Sequence, residues 1–304
     1  MHDGDIIRRF VFDRFPVRGH LVHLDASWRA LAEHHAYPEP IRRVLGEGVA
    51  ATVLLAATVK FEGRLTLQVE GPGIMHLMVV QATHQMAVRG VARWTGEPPA
   101  GRSSIDALVG EGRMFVTVES EDRQSRYQGV VPLLGEGLAA CFESYFQQSE
   151  QLPTRLWLVA TPERAAGLLL QRLPSGASAA ASEIEHSAAD GDEDWNRIVH
   201  LASTITEAEL AGLTADELLR RLFHEEDLRV FEPAPVYFQC ACARERVSGI
   251  LRSLGEVEVR EILAERGQVE VRCEFCNRAW QYDAVDVSAL FAAAEPASGP
   301  RVLQ

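Results

Sequence analysis

Four of the five cysteines in this 304-residue chain fall in one C-terminal stretch: Cys240-x-Cys242, thirty intervening residues, then Cys273-x-x-Cys276. Zinc takes four thiolates in a tetrahedron at about 2.3 Å, and two close pairs joined by a folded connector supply that set without strain. The segment 231–287 that carries them is shorter than the roughly 70–80 residues at which one apolar core suffices, so it needs a staple. Cys240, Cys242, Cys273 and Cys276 are therefore the expected ligands of one zinc ion in a small α+β module. Between the pairs, 245–254 and 257–264 have helical spacing, and 268–272 alternates like a strand. Cys-x-Cys is unusual in a purely structural zinc ribbon and invites a redox reading. Thiolates are the form that peroxide and hypochlorite attack, and a sulfenic acid on one sulfur can be resolved as a disulfide by its sequence neighbour. Each pair can thus close on itself, and a module folded by its metal would then unfold.

Residues 1–173 alternate apolar and polar side chains in short runs broken by glycine, which predicts an α+β domain of antiparallel sheets with helices. Strands are expected at 6–12, 17–24, 64–70, 75–82, 87–94, 113–119, 127–132 and 155–160. Helices are expected at 27–35, 38–59 and 137–149. Asp25 or Ser27 is the expected cap of the first helix, and Glu70-Gly71-Pro72-Gly73 has the chemistry of a hairpin turn. Composition changes after Leu173, where a linker, 174–230, begins. Its start, 174–190, is mostly Ser, Ala and Gly, and 182–194 holds six acids and no base. Apolar stripes at helical spacing return over 195–223, and Thr214 and Glu217 are placed as a capping box. Helices this short are stable only when docked, which makes the linker a candidate switch. Residues 288–304 read as a fraying tail.

The 30 Lys+Arg against 43 Asp+Glu give a net charge of -13, which repels phosphate backbones and anionic lipid. Neither nucleic acid nor a membrane is an expected partner. The longest apolar stretch, 48–59, is below the roughly 18 residues of a membrane span and reads as a buried helix. The acidic N-terminus does not read as a secretory signal, so the expected location is the cytoplasm, where thiols stay reduced.

The chain resembles the 33-kDa heat-shock holdase family of redox-regulated chaperones over nearly its whole length. Besides the cysteine pattern, the resemblance rests on Cys242-Ala243-Arg244-Glu245-Arg246-Val247, Leu254-Gly255 and Val271-Arg272-Cys273-Glu274-Phe275-Cys276-Asn277. In the first domain it rests on 63–69, on Tyr127-Gln128-Gly129-Val130-Val131-Pro132-Leu133 and on 145–153. It implies a reduced, zinc-bound, inactive monomer. It also implies that oxidation pairs Cys240 with Cys242 and Cys273 with Cys276, releases zinc, unfolds the 174–230 linker and favours a homodimer. The exposed apolar surface would then hold unfolding client proteins without ATP and without catalysis. Ala243, where a small polar residue is common, and the alanine-rich acidic linker start depart from the family pattern.

Cys141 lies with Leu138, Phe142, Tyr145 and Phe146 on one helical stripe and reads as a packing residue. His20, His23, His34 and His35 have no matched metal or nucleophile partner in sequence and read as surface or capping residues. Gly71 and Gly73 precede no phosphate-loop fingerprint. A thiol-disulfide oxidoreductase using Cys273 and Cys276 is the competing enzyme reading, although a thioredoxin-like βαβ setting is absent. A zinc-containing nucleic-acid adaptor is the third, but the arginines of the module are matched by its glutamates.

Overall fold

In the computed structural model, the described residues are 4–99, 101, 103–121, 125–133, 137–174 and 188–292. The acidic linker start falls largely outside them, as does most of the tail. By contacts the chain divides after Gln239.

The first unit is organised by helix α2 (Glu39–Thr58), whose small and aliphatic residues are buried along nearly its whole length. A helix apolar all round must be covered on every side. Here it packs on strands of two different sheets. The first sheet contains β1 (Ile6–Phe12), β2 (Val17–Leu24), β8 (Thr154–Ala160), β9 (Ala165–Arg172) and β10 (Leu228–Val230), in the order β10-β1-β2-β9-β8. A two-residue strand, β11 (Ala234–Pro235), also pairs with β1. The second contains β3 (Gly63–Glu70), β4 (Met75–Thr83), β5 (Ala87–Trp94), β6 (Arg113–Ser120), β7 (Arg126–Pro132) and β12 (Tyr237–Phe238), in the order β12-β5-β4-β3-β6-β7. Strands β3 and β4 form the hairpin expected around Gly71 and Gly73. Helices α1 (Ala26–Ala32), α3 (Ile105–Val109) and α4 (Leu138–Tyr145) complete this body, and α4 runs on as a π turn over Phe146–Glu150. Cys141 is fully buried in the core shared by both sheets, as expected.

Helices α5 (Ala188–Ala202), α6 (Glu207–Gly212) and α7 (Ala215–Phe223), from the segment expected to be a linker, belong to the first unit, lie on the first sheet and share a second core with it. Helix α5 starts earlier than the expected position 195, because Asp192, Glu193 and Asp194 sit in its first two turns, where the helix dipole favours negative charge. Thr214 and Glu217 form the expected capping box, and Thr206 with Glu209 forms a second one on α6.

Several elements depart from the sequence reading for identifiable reasons. Strand β9 went unread because it is buried on both faces and does not alternate. The segments 234–235 and 237–238, grouped by composition with the terminal module, pair with β1 and β5 of the first unit. Two residues are too few to show a period. Neither Asp25 nor Ser27 caps α1 with its side chain. The carboxylate of Asp5 does so from β1's side, accepting the backbone N–H groups of Asp25, Ala26 and Ser27 at 2.8–3.0 Å.

His20 and His23 are corrected from surface to buried positions, because β2 is a central strand with a core on each face. Burial first, and then the charges of Arg18 and Arg9, lower the His20 pKa from 6.5 to about 3. The unfolded chain takes up this proton below pH 6.5 and the folded chain only near pH 3. Stability is therefore expected to fall by up to about 1.4 kcal/mol per pH unit across that window. Urea midpoints measured from pH 7 to 4 check this; His20→Gln should flatten the slope, and an unchanged slope would assign it to other groups.

Candidate metal centre

Among the described residues, the second unit, from Cys240 onward, has a core of seven buried apolar side chains, including Val247, Leu251, Val259 and Tyr282. Its elements are α8 (Arg244–Leu254), α9 (Glu256–Arg266), β13 (Val269–Arg272), β14 (Ala279–Tyr282) and α10 (Ala284–Ala292). The two expected helices and the expected strand are present. The hairpin partner β14 and helix α10 were not read from sequence; α10 buries Val287 and Leu290 and carries order beyond the expected module end at 287.

The two cysteine pairs flank the elements of the module. Cys240 and Cys242 lie in irregular chain just before α8. Cys273 and Cys276 form the connection between β13 and β14, where Asn277 N–H donates to the Cys273 carbonyl at 2.7 Å and Cys273 N–H to the Arg278 carbonyl at 3.0 Å. Asn277 closes this knuckle in the left-handed region (φ 52), which asparagine tolerates better than most residues. Tyr282 fastens the two halves together: its hydroxyl donates to the Arg244 carbonyl at 3.1 Å, and the Arg244 guanidinium stacks 4.4 Å from its ring centre. The same guanidinium pairs with Asp286 at 2.9 Å. The start of α8, and with it Cys242, is thereby tied to β14.

All four sulfurs lie within 4.8 Å of one another. Cys240 Sγ is 3.5 Å from Cys273 Sγ, and Cys242 Sγ is 3.3 Å from Cys276 Sγ. A tetrahedron with metal–sulfur bonds of about 2.3 Å has edges of about 3.8 Å, so the donor set fits a tetrahedral thiophilic cation. None of the four is in a disulfide. Burial raises the Cys242 and Cys276 pKa values, and the Cys240 thiol beside them adds to the rise. Burial also pushes Cys240 upward, but the Cys242 backbone N–H and the neighbouring thiols outweigh it and leave Cys240 below its usual value. Four sulfurs this close cannot all ionise without a cation to balance them. The four cysteines are thus positioned to coordinate a metal ion, and among the described residues no other such cluster occurs.

A second candidate surface has no local sequence motif. On the first sheet Phe10, Phe12, Val17, Leu21, Leu168 and Leu170 form an apolar face, covered by Ile198, Leu210, Leu218, Leu222 and Phe223 of the linker helices. Gly19 makes room for it: a Cβ there would lie 2.0 Å from the Phe10 ring. Polar pins surround the contact. Arg164 holds both Asp25 carboxylate oxygens at 2.5 and 2.8 Å and donates to the Ala211 carbonyl at 2.9 Å. His23 Nε2 donates to the Leu210 carbonyl at 3.1 Å, and Arg8 pairs with Asp216. Their partners are far apart in sequence, so no spacing announces them.

Fold and site together define an α+β protein in which docked linker helices cover an apolar sheet and a small module presents four clustered thiols. The family model described as Hsp33 protein matches residues 5–283. The 33 kDa chaperonin of Nitrosococcus oceani is 46% identical over 291 residues, 96% of each chain. That of Methylobacillus flagellatus is 43% identical over 292 residues, again 96% of each. The solved structure of the Hsp33 homologue from Thermotoga maritima has the same fold, with a TM-score of 0.80 at 22% identity, covering 95% of this chain and 98% of that one. The chain belongs to the Hsp33 family, and membership assigns it a chaperone function. No helix among the described residues is long and apolar enough to cross a membrane.

Proposed function

We propose that the protein is a cytoplasmic, ATP-independent holdase switched on by thiol oxidation. Residues 1–173 form its chaperone core, 174–230 its linker, 231–287 its redox-sensitive zinc module and 288–304 a tail. The observation that carries this reading is the four-thiol cluster in a module too small to fold without a staple. One zinc ion, held by Cys240, Cys242, Cys273 and Cys276 in the reduced state, would supply folding free energy and keep the sulfurs deprotonated. Peroxide oxidises one thiolate to a sulfenic acid and leaves as hydroxide; the neighbouring thiol then displaces the sulfenic oxygen as water and forms a disulfide. The pairs are Cys240–Cys242 and Cys273–Cys276. Their present contacts run across the pairs at 3.3 and 3.5 Å, so closing each pair to about 2.05 Å requires the site to open.

Opening the module then releases the linker helices, whose few buried side chains do not sustain helices of this length alone. The apolar sheet face around Phe10 and Phe12 becomes available to unfolded or partly unfolded clients, and two such faces favour a homodimer. The test follows light scattering of a heat-unfolding client with the protein either zinc-reduced or peroxide-treated, while a chromophoric chelator reports zinc. Suppression of aggregation is expected only after oxidation, in step with about one zinc released per chain, and should reverse with reductant. Zinc release with no effect on aggregation would sink the reading.

A further inference from the structure

We infer that a cleft in the first unit binds a small aliphatic α-amino acid, with Arg18 receiving its carboxylate and Glu150 its ammonium group. The inference goes beyond the holdase reading and does not depend on it. The cleft has a volume of about 110 Å³. Strands of both large sheets, the end of α2 and the π turn line it, and every lining residue is among the described ones. A π turn is rare and is found frequently at functional sites. This one supplies Phe146 and Glu150, and Leu152 follows directly after Gln151, which is held in the left-handed region (φ 54).

A guanidinium drawn partly out of water normally gains a carboxylate partner. Arg18 has none among the described residues. Its Nε donates to the Gln171 side-chain oxygen at 3.0 Å, and its Nη2 donates to the same oxygen and to the Thr58 carbonyl at 3.2 Å. Gln171 is fully buried and is fixed in turn by donating to Thr154 Oγ1 at 2.9 Å. The guanidinium is therefore held in place, with Nη1 left without a protein partner among the described residues. Burial, and then the charge of Arg9, lower its pKa. Arginine nevertheless stays protonated, so this cost appears as an affinity for an anion.

Glu150 brings the opposite charge to the same cleft, and the two do not pair. Its carboxylate is bonded to the Tyr145 hydroxyl, which burial first, and then Tyr127 and Glu150 beside it, keep protonated. The remaining walls are mainly apolar, with Leu55, Leu65, Val116 and Phe146 among them. An apolar cleft with a few fixed polar groups is the usual form of a small-molecule site. A simple carboxylate would satisfy Arg18 and be repelled by Glu150, and a simple amine would do the reverse. A zwitterion satisfies both with charge-assisted hydrogen bonds. The volume sets the size of its apolar part: a cavity of about 150 Å³ holds benzene, so this smaller one suits a four-carbon side chain such as that of leucine.

Titration calorimetry on the full reduced chain tests this, with leucine as the probe. Its two single-charge analogues are 4-methylpentanoate, which lacks the ammonium group, and 3-methylbutylamine, which lacks the carboxylate. Leucine should bind saturably and raise amide protection at 145–152, and each analogue should bind about tenfold more weakly. Glu150→Gln, at an exposed position, should weaken leucine about tenfold and leave 4-methylpentanoate no weaker. Arg18→Gln should weaken both carboxylates; if that variant melts early, the Glu150→Gln arm decides alone. The inference is overturned if leucine gives no saturable heat, if 4-methylpentanoate binds as tightly as leucine, or if Glu150→Gln binds leucine as the native chain does. Holding of clients plays no part in these readouts, so this inference and the redox reading fail separately.

Discussion

Cys273→Ser is expected to yield a chain that retains little zinc and no longer responds to peroxide. If about 10–16 kcal/mol of metal-linked folding free energy is shared by four thiolates, one ligand contributes roughly 3 kcal/mol, or about a hundredfold in affinity. The module has too small a core to absorb that loss. The measurement is zinc per chain after dialysis against a weak chelator, with amide exchange across 244–292 to report the module's folding. Holding of clients should become independent of oxidation, because Cys276 has lost its resolving neighbour and the module is already open. Full zinc occupancy together with a normal peroxide response would remove Cys273 from the site. Cys240→Ser should behave alike, and Cys141→Ser should leave zinc binding untouched, since Cys141 is buried in the core of the other unit.

A charge placed under the linker should activate the chaperone with its metal still bound. Leu218 of α7 is fully buried against the first sheet. Leu218→Glu would bury a carboxylate without a partner, and the several kcal/mol this costs fall on the docking of short helices that are not stable alone. The reduced, zinc-bound variant is therefore expected to suppress client aggregation without oxidant, with residues 188–223 open to proteolysis and zinc content unchanged. Leu218→Met, which conserves volume, should stay docked and inactive. If the helices of Leu218→Glu come free and the reduced protein still holds no client, the covered face is not the client surface. The pair of variants separates the sensor from the surface it controls.

How much could be read from the chain differs between these parts, and the reasons are physical. Strands such as β1, β3 and β4 lie within a residue of their expected positions, because each has one face in the core and alternates accordingly. Strand β9, buried on both faces, carries no such alternation. The two histidines of β2 looked polar and therefore peripheral, but a central strand between two cores buries whatever side chain it carries. The capping box at Thr214 was legible because its partners are three residues apart. The cap of α1 was not, because Asp5 is some twenty residues from the N–H groups it accepts.

The sequence by itself determined the donor set of the candidate metal site. Four cysteines in two close pairs are a local chemical fact, and any fold that joins their ends gathers them. It also determined that residues 195–223 would be amphipathic helices in need of a surface. Only the tertiary structure decided which surface that is and which carbonyls Arg164 and His23 hold. Those features depend on pairings between residues far apart in the chain, set by packing and register, and local composition and spacing carry no record of them.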